Sequence, residues 1–430
     1  MVSDSPPSAL KSPADDAQLR LGRAAMARLD ALAQITETPG VLTRRYLTPA
    51  HASAMQQVQA WMRTAGLATR IDAVGNVIGR LEGKREGAPA LLLGSHIDTV
   101  VDAGRYDGAL GVVAAIIAVE ELVRTGARLA HAIEIVAFGD EEGVRFPTRL
   151  LTSRALAGSI GPGDFDVRDG RGISVRDALD AVGGDANNYG DCVRAPHEIA
   201  AYLELHIEQG PVLQDKGLAL GAVTAISGGT RMKVTVTGMA GHAGTVPMGL
   251  RRDALAAAAE MILAVENVGA SEPDVVATVG RIAAHPGAPN VVPGRADFTV
   301  DLRSPSDALR LACLTKLRAA FDAIAARRNQ SVTADTYYQM PAVTLDTRVV
   351  EAVGEAMHAC GHPPALLPSG AGHDAMAMAE RWPAGMIFVR CRDGISHNPA
   401  ESITAADADA AVHVLLETLR RLDRRFAVPA

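Results

Sequence analysis

An apolar run from Ala88 to Leu93 breaks into Gly94-Ser95-His96-Ile97-Asp98-Thr99. A run of that kind reads as a strand buried on both faces, the pattern of a parallel sheet covered by helices. It directs the chain to α/β architectures, in which ligands sit beyond the carboxyl ends of the strands. His96 and Asp98 are two apart and share a face if the strand continues. One can then hold a metal while the other orients it. Asp107 follows on the glycine-flanked turn Gly104-Arg105-Tyr106-Asp107-Gly108, which leads into an apolar helix from Ala109 to Val123.

The pattern around this segment extends it in both directions. Leu19 to Gln34 and Pro49 to Gly66 read as helices, the second capped by Thr48. Leu67 to Ile71 and Asn76 to Leu81 read as strands around the turn Ala73-Val74-Gly75. Ala132 to Phe138 is another apolar strand, ending in Gly139-Asp140-Glu141-Glu142-Gly143, and Tyr202 to His206 is a third. Pro147 to Ala195 is poorly periodic, with weak helices near Thr152 and Ser174. The character changes near Ala225. Arg231 to Thr237 alternates as an antiparallel strand does. A helix (Arg252 to Val265), strands (Asp274 to Ala284, Arg295 to Leu302), a helix (Ala308 to Arg327) and a strand (Ser331 to Tyr338) complete a ferredoxin-like order. After Pro341 the α/β pattern resumes: helix Val349 to Ala359, a helix from Gly372, strand Gly385 to Val389 and helix Ala405 to Arg424. The expected fold class is therefore α/β: a mixed, mostly parallel sheet with helices on both faces, interrupted by a smaller α+β domain. The boundaries read as 1–224 plus 338–430 for the first domain and 225–337 for the insert, with 1–16 a loose tail.

At 430 residues the chain is long for a single core. Its net charge of −7 opposes nucleic-acid binding. The four cysteines are scattered without a CxxC pair, which suits a reducing, cytoplasmic setting better than a disulfide framework. No uninterrupted apolar run reaches spanning length, and the start lacks the pattern of a signal peptide.

Five residues stand where a strand gives way to Gly, Asp or Ser: His96, Asp107, Glu142, His206 and His397. Imidazole and carboxylate together suit Zn²⁺, Mn²⁺ or Fe²⁺, and two ions sharing one carboxylate would leave a position open for water. Each residue also has a plain reading. Alone, Asp107 is turn chemistry, the Asp140–Glu142 run is a solvated acidic loop, and a histidine at a strand end is surface or satisfied core. His131, His197, His285 and His362 lack the strand-end setting and are left as structural.

The joint pattern is similar to the M20 metallopeptidase-like family, in its amidase/hydantoinase/carbamoylase branch. The resemblance runs from about Leu42 to Leu416 through GSHIDTV, AGRYDGALGV, FGDEEGVRFP, ELHIEQGPVL, GHAGTVPM, APNVVPG, DLR, LPSGAGHDAMAMA and VRCRDGISHNPAE. HIEQGPVL and GHAGTVPM mark this branch against the peptidases. VVDAGRYDGALG and the last two segments are most similar to its allantoate amidohydrolases. One departure is Thr152, where relatives commonly have Gly.

The resemblance implies two divalent ions per subunit, Zn²⁺ or Mn²⁺, bridged by Asp107. His96 and His206 would bind one each, with Glu142 completing one site and His397 the other. It makes Asp98 the residue that orients His96, and Glu141 the general base. His242 becomes an oxyanion donor contributed by a lid, across the interface of a homodimer. Asn290 and Arg303 become a carboxylate clamp, Gln209 a contact to the ureido group, and Gly370 a backbone contact. The implied reaction is hydrolysis of the ureido C–N bond of a small carboxylate. Allantoate, giving ureidoglycine, ammonia and CO2, is the first expectation and an N-carbamoyl-L-amino acid or β-ureidopropionate the alternative. A dinuclear peptidase and a catalytically silent metal-binding relative rank below. No nucleic-acid or membrane partner is expected.

Overall fold

The structure, a computed structural model, describes residues 19–426, so the tail expected at 1–16 lies outside it. Helices α1 (Arg20–Ala33) and α2 (Pro49–Thr64) come first. Pro49 presets the first helical φ, and Thr48 caps α2 by accepting the His51 N–H at 3.3 Å. Strands β1 (Ala68–Ile71), β2 (Val77–Leu81) and β3 (Ala90–His96) follow, then α3 (Ala109–Arg124) and β4 (Ala132–Phe138). Next are α4 (Leu151–Ala157), α5 (Val175–Ala181), β5 (Ile199–Ile207), α6 (Val212–Asp215) and β6 (Leu220–Ile226).

The insert begins with β7 (Gly228–Thr237) and β8 (Gly241–His242) and continues through α7 (Ala254–Ser271), β9 (Val276–Thr278), β10 (Ile282–His285) and β11 (Val291–Val292). It ends with β12 (Arg295–Ser304), α8 (Asp307–Arg327), β13 (Ser331–Met340) and β14 (Val343–Thr344). The chain then runs through α9 (Thr347–Ala359), β15 (Leu366–Ser369), α10 (Ala375–Ala379), β16 (Ala384–Val389) and α11 (Ala405–Arg425).

The chain divides into two units: Met1–Thr224 with Leu345–Leu367 and His373–Ala430, and Ala225–Thr344 with Pro368–Gly372. In the first, the strand order is β1-β2-β4-β3-β5-β16-β6. The centre, β4-β3-β5-β16, is parallel, and the flanks β1, β2 and β6 are antiparallel. All seven residues of β3 and all seven of β4 are buried. Leu91, Leu93, Ile133, Ile135, Leu203 and Leu205 share one core with α1, α3, α9 and α11. Gly94, Phe138 and Tyr202, on the other face by alternation, meet one another. There α10 packs on β5 and β16, and α4 on α10. Helix α3 buries twelve of its sixteen residues, and each aliphatic side chain fully buried there stabilises by about 1.5–3 kcal/mol.

The second unit has sheet order β10-β12-β7-β13, with β9 also on β12, all antiparallel. With α7 after β7 and α8 after β12 this is the ferredoxin-like arrangement. Met232, Val234, Val236, Phe298 and Leu302 face Ala257, Met261, Leu317 and Phe321. Among the described residues, α7 alone is long and apolar enough to cross a membrane. One face of it packs on this core, and Glu260 on the helix pairs with Arg327 and Arg328.

Several local readings differ from the structure. The single strand read over Asp274 to Ala284 is two, β9 and β10, split around Gly280. The helix from Gly372 is only α10, five residues, with Pro383 soon after it. The expected boundary at 337/338 falls inside β13. Strands β6 and β15 were not read from the sequence at all.

Candidate metal centre

Because β4, β3, β5 and β16 are adjacent and parallel, whatever leaves their carboxyl ends converges there, however far apart in sequence. His96 ends β3, Glu141 and Glu142 follow β4, and His206 is the penultimate residue of β5. Ser396 and His397 follow β16. Asp107 arrives on the turn before α3. That turn needs a glycine after it. Gly108 has φ +63°, and a Cβ there would fall 2.4 Å from the His96 ring.

The two oxygens of Asp107 divide the imidazoles. Oδ1 lies 3.5 Å from His96 Nε2 and 3.1 Å from His206 Nε2. Oδ2 lies 3.3 Å from His397 Nε2, which is 3.5 Å from Glu142 Oε1. Two donor triads share Asp107, His96–Asp107–His206 and Asp107–Glu142–His397, each with its donor atoms within 4.8 Å of one another; His96–Glu141–Glu142 and Glu204–His206–His373 cluster as closely. The side chains are thus grouped otherwise than in the expected division, which gave His96 and His206 to different ions. Both end neighbouring strands, their rings lie 5.7 Å apart, and they face the same carboxylate oxygen.

The tautomers suit ligation. His96 Nδ1 lies 3.0 Å from the Asp98 carbonyl and His206 Nδ1 2.9 Å from the Ile207 carbonyl. A carbonyl only accepts, so each Nδ1 carries the hydrogen and each Nε2 turns a lone pair inward. The Gly108 N–H donates to that lone pair on His206 at 3.2 Å. Asp98 therefore orients His96 more closely through its backbone carbonyl than through its carboxylate, which is 3.6 Å away. The carboxylate instead accepts the N–H groups of Glu141 and Glu142 at 3.3 and 3.4 Å and steadies the loop that carries them. Thr152 adds to this. Its hydroxyl accepts the Gly139 N–H at 2.8 Å and donates to the Gly139 carbonyl at 2.9 Å.

The centre is short of positive charge. Burial raises the Glu141 pKa well above the usual range, aided by neighbouring carboxylates. Burial, with Asp107 next, pushes Glu142 up to about 7. For Asp107 burial acts upward too, but in the absence of a cation protonated His206, His397 and His96 rings would outweigh it and hold the group well below its ordinary value. His397 is raised to about 9, first by Asp107. Carboxyl groups this crowded, beside imidazoles with inward lone pairs, fit divalent cations. Glu141 Oε2 sits 3.9 Å from His96 Nε2, outside the two triads that share Asp107 but clustered with His96 and Glu142.

Three features were missed in the sequence. Ser396 Oγ donates to Asp107 Oδ2 at 2.7 Å. Glu401 Oε1 accepts the N–H groups of Tyr106 and Asp107 at 2.7 and 3.1 Å, fixing the turn. The His373 ring lies 4.5 Å from that of His206. The only signal for the first two was their nearness in sequence to His397. Gln209 also touches Asp107: its Nε2 donates to Oδ2 at 2.7 Å, leaving a buried Oε1 without a hydrogen-bond partner among the described residues.

The remaining expected site residues belong to the second unit. His242, on β8, is exposed, and its Nδ1 accepts the Gly244 N–H at 3.0 Å. β8 pairs with β11, and the Asn290 carbonyl accepts the Ala243 N–H at 2.9 Å, so His242 and Asn290 share one ribbon. Arg303, on β12, meets Asp301 through Nε and Nη2 and the Gly370 carbonyl through Nη1.

Comparison with known proteins agrees with this architecture. Residues 92–421 match the description of Peptidase family M20/M25/M40. The chain is 41% identical to an allantoate deiminase of Arabidopsis thaliana, over 92% of this chain and 81% of that one. It is equally, 41%, identical to an N-carbamoyl-L-amino acid amidohydrolase of Geobacillus stearothermophilus, over 92% and 97%. A crystal structure of an amidase of the hydantoinase/carbamoylase family from Burkholderia multivorans superposes with a TM-score of 0.90 at 34% identity, covering 95% of this chain and 98% of that one. The chain belongs to the M20/M25/M40 family. Within it, it is one of the metal-dependent hydrolases that act on C–N bonds outside peptides.

Proposed function

We propose that the protein hydrolyses the ureido C–N bond of a small carboxylate, with allantoate as first substrate. The observation that carries this reading is the double use of Asp107: His96 and His206 on one oxygen, His397 with Glu142 on the other, and Glu141 alongside. His96, Asp107 and His206 would hold one divalent ion, Zn²⁺ or Mn²⁺, and Asp107, Glu142 and His397 a second. When bound, such ions polarise a carbonyl and make water more acidic.

The chain's own residues do the rest. Glu141, whose burial makes it a stronger base than an exposed carboxylate, takes a proton from water and returns it to the leaving nitrogen. The free Oε1 of Gln209 accepts a hydrogen bond from the ureido NH2. His242 supplies a donor to the developing oxyanion, acting across a homodimer. Asn290, Arg303 and the neighbourhood of Gly370 retain the carboxylate and so fix the ureido carbon. We read the protein as cytoplasmic, which suits its four free cysteines.

A second reading, an N-carbamoyl-L-amino-acid hydrolase, draws equal support from the Geobacillus relative. The test is metal-stripped protein reconstituted separately with Mn²⁺ and Zn²⁺ and assayed for ammonia release. Allantoate is expected to be hydrolysed with at least one ion. Turnover of N-carbamoyl amino acids alone would transfer the assignment to the second reading.

A further inference from the structure

Between His96, which ends β3, and Asp107, which precedes α3, the chain runs through 97–106 with neither helix nor strand. Its course there is set by what its backbone groups meet. Residues 42–44, from the connection between α1 and α2, run alongside it. The Arg44 carbonyl accepts the Thr99 N–H at 3.0 Å, and the Arg44 N–H donates to Thr99 Oγ1 at 2.8 Å. The Asp102 N–H donates to Thr43 Oγ1 at 3.1 Å and the Ala103 N–H to the Leu42 carbonyl at 2.8 Å.

The Arg44 side chain ties this segment to the interior. It is 1% exposed. Its Nε donates to the Ile97 carbonyl at 2.7 Å, between His96 and Asp98. Its Nη1 donates to the Leu32 and Ile35 carbonyls at 2.9 and 3.0 Å, where α1 ends. Among the described residues no carboxylate accepts a hydrogen bond from it. A buried cation held by carbonyls alone is costly, and two features offset the cost. The carbonyl end of α1 carries the negative end of its dipole. Asp98 attracts the group through space and opposes the effect of burial, which brings the guanidinium pKa down to about 10, so it stays charged at neutral pH. Packing alone would be served as well by an apolar side chain. What the guanidinium adds is a fixed carbonyl next to His96 and a fixed charge near Asp98. Asp98 in turn aims His96 through its carbonyl and accepts the Glu141 and Glu142 N–H groups through its carboxylate.

We propose that Arg44 is a positioning residue of the metal centre: by holding the Ile97 carbonyl it sets the course of the chain from His96 to Asp98, and with it the direction of His96 Nε2 and the seat of the Glu141 loop. It acts through these residues, from the α1 side of the segment. The proposal rests on the reading of the cluster around Asp107 as a divalent-metal centre, given above.

The test uses the full-length protein with Arg44→Met, which removes charge and fork together, and Arg44→Lys, which keeps the charge but not the fork. Asp423→Asn is the control. Asp423 accepts the Ala130 and His131 N–H groups at 3.1 and 2.9 Å, at the end of β4 away from the centre. Affinity for Mn²⁺ and Zn²⁺, measured by competition with a chromogenic chelator, should fall at least about tenfold in Arg44→Met, the usual scale for groups that orient metal ligands. In Arg44→Lys it should fall by about threefold or more, but less than in Arg44→Met. With the ion saturating, kcat should fall about tenfold in Arg44→Met with KM within about twofold, because the groups displaced act on the reacting bond. Asp423→Asn should lower the thermal midpoint and leave metal affinity within about twofold of wild type.

Hydrogen exchange of the metal-free proteins separates a local effect from a global one. Amides in 97–103 should exchange at least about tenfold faster in Arg44→Met, with β3 and β5 unchanged. Where Arg44→Met does not fold, the Arg44→Lys readings decide. A lowered thermal midpoint with metal affinity and kcat within about twofold of wild type in the Arg44 variants would overturn the proposal and leave the residue a structural role. Weakening of the metal by Asp423→Asn to the same degree would overturn it as well, since any loss of stability would then suffice. Should wild type bind no divalent ion, the reading of the centre falls and the proposal with it. Equal binding by wild type and the Arg44 variants removes the proposal alone.

Discussion

Around Asp107 the side chains of His96, His206 and Asp107 are 2%, 1% and 6% exposed, whereas in the second unit Arg303 is 33% exposed and His242 lies open on a two-residue strand. The buried part of this centre is held through backbone groups: carbonyls fix the His96 and His206 tautomers, Glu401 fixes the Asp107 turn, and Asp98 and Thr152 fix the Glu141 loop, while His397 is 49% exposed. The second unit holds its charged groups by side-chain ion pairs on a solvated sheet face. In the first arrangement chemistry and folding use the same contacts, so substitution disturbs both. In the second they are separable.

The most severe break is expected at Asp107. Asp107→Ala should reduce hydrolysis to background and release the bound metal, measured by elemental analysis after gel filtration, because both donor triads lose their common member. Glu141→Gln comes next. Rate should fall by about 10²–10⁴ with metal content unchanged, since the base is lost but no donor of the two triads is. A variant that loses metal along with rate would make Glu141 a ligand rather than the base.

In the second unit the separability is tested directly. His242→Ala should lower kcat by about 10²–10³, the usual cost of one oxyanion donor, while leaving the thermal midpoint of the protein unchanged. A clear fall in that midpoint would show that the exposed group also supports the fold and would blur the contrast.

The contrast also explains what the sequence could convey. Apolar runs such as Leu91–Leu93 and Ala132–Phe138 are unambiguous because burial on both faces admits little else, and they placed the strand ends correctly. His96, Asp107, Glu142, His206 and His397 stand out as candidates through that placement. Their grouping around the two oxygens of Asp107 does not, because it depends on which strands are neighbours: β3 lies beside β5, although β4 and three helices intervene in sequence. Ser396 and Glu401 act through single hydrogen bonds in a loop without periodicity, and no pattern announces them. The occupied fork of Arg303 was equally hidden. DLR reads as a carboxylate clamp, and only the side-chain geometry shows that its own Asp301, two residues away on the same strand, is the carboxylate it meets.

The smallest effect sharpens the claim that folding and protonation are coupled in the buried half. His51 is 1% exposed, stands edge-on to Tyr46 with ring centroids 5.4 Å apart, and has no hydrogen-bond partner on either nitrogen among the described residues. Burial lowers its pKa to about 4, against partial opposition from Asp98. Between the ordinary imidazole value near 6.5 and about 4, the unfolded chain binds a proton that the native chain refuses, so stability falls as pH falls through that window. Above about pH 6.5 the contribution is complete, and below about 4 both states are protonated and no more is lost. At 1.36 kcal/mol per pH unit the full loss is about 3 kcal/mol. Urea unfolding of chelated protein at pH 7 and pH 4.5 should therefore show His51→Leu losing about 2–3 kcal/mol less than wild type between the two conditions. Parallel losses in the two proteins would mean that His51 is protonated in the native state, and that a solvent path or a hidden partner reaches a ring otherwise enclosed by Tyr46 and the end of β4.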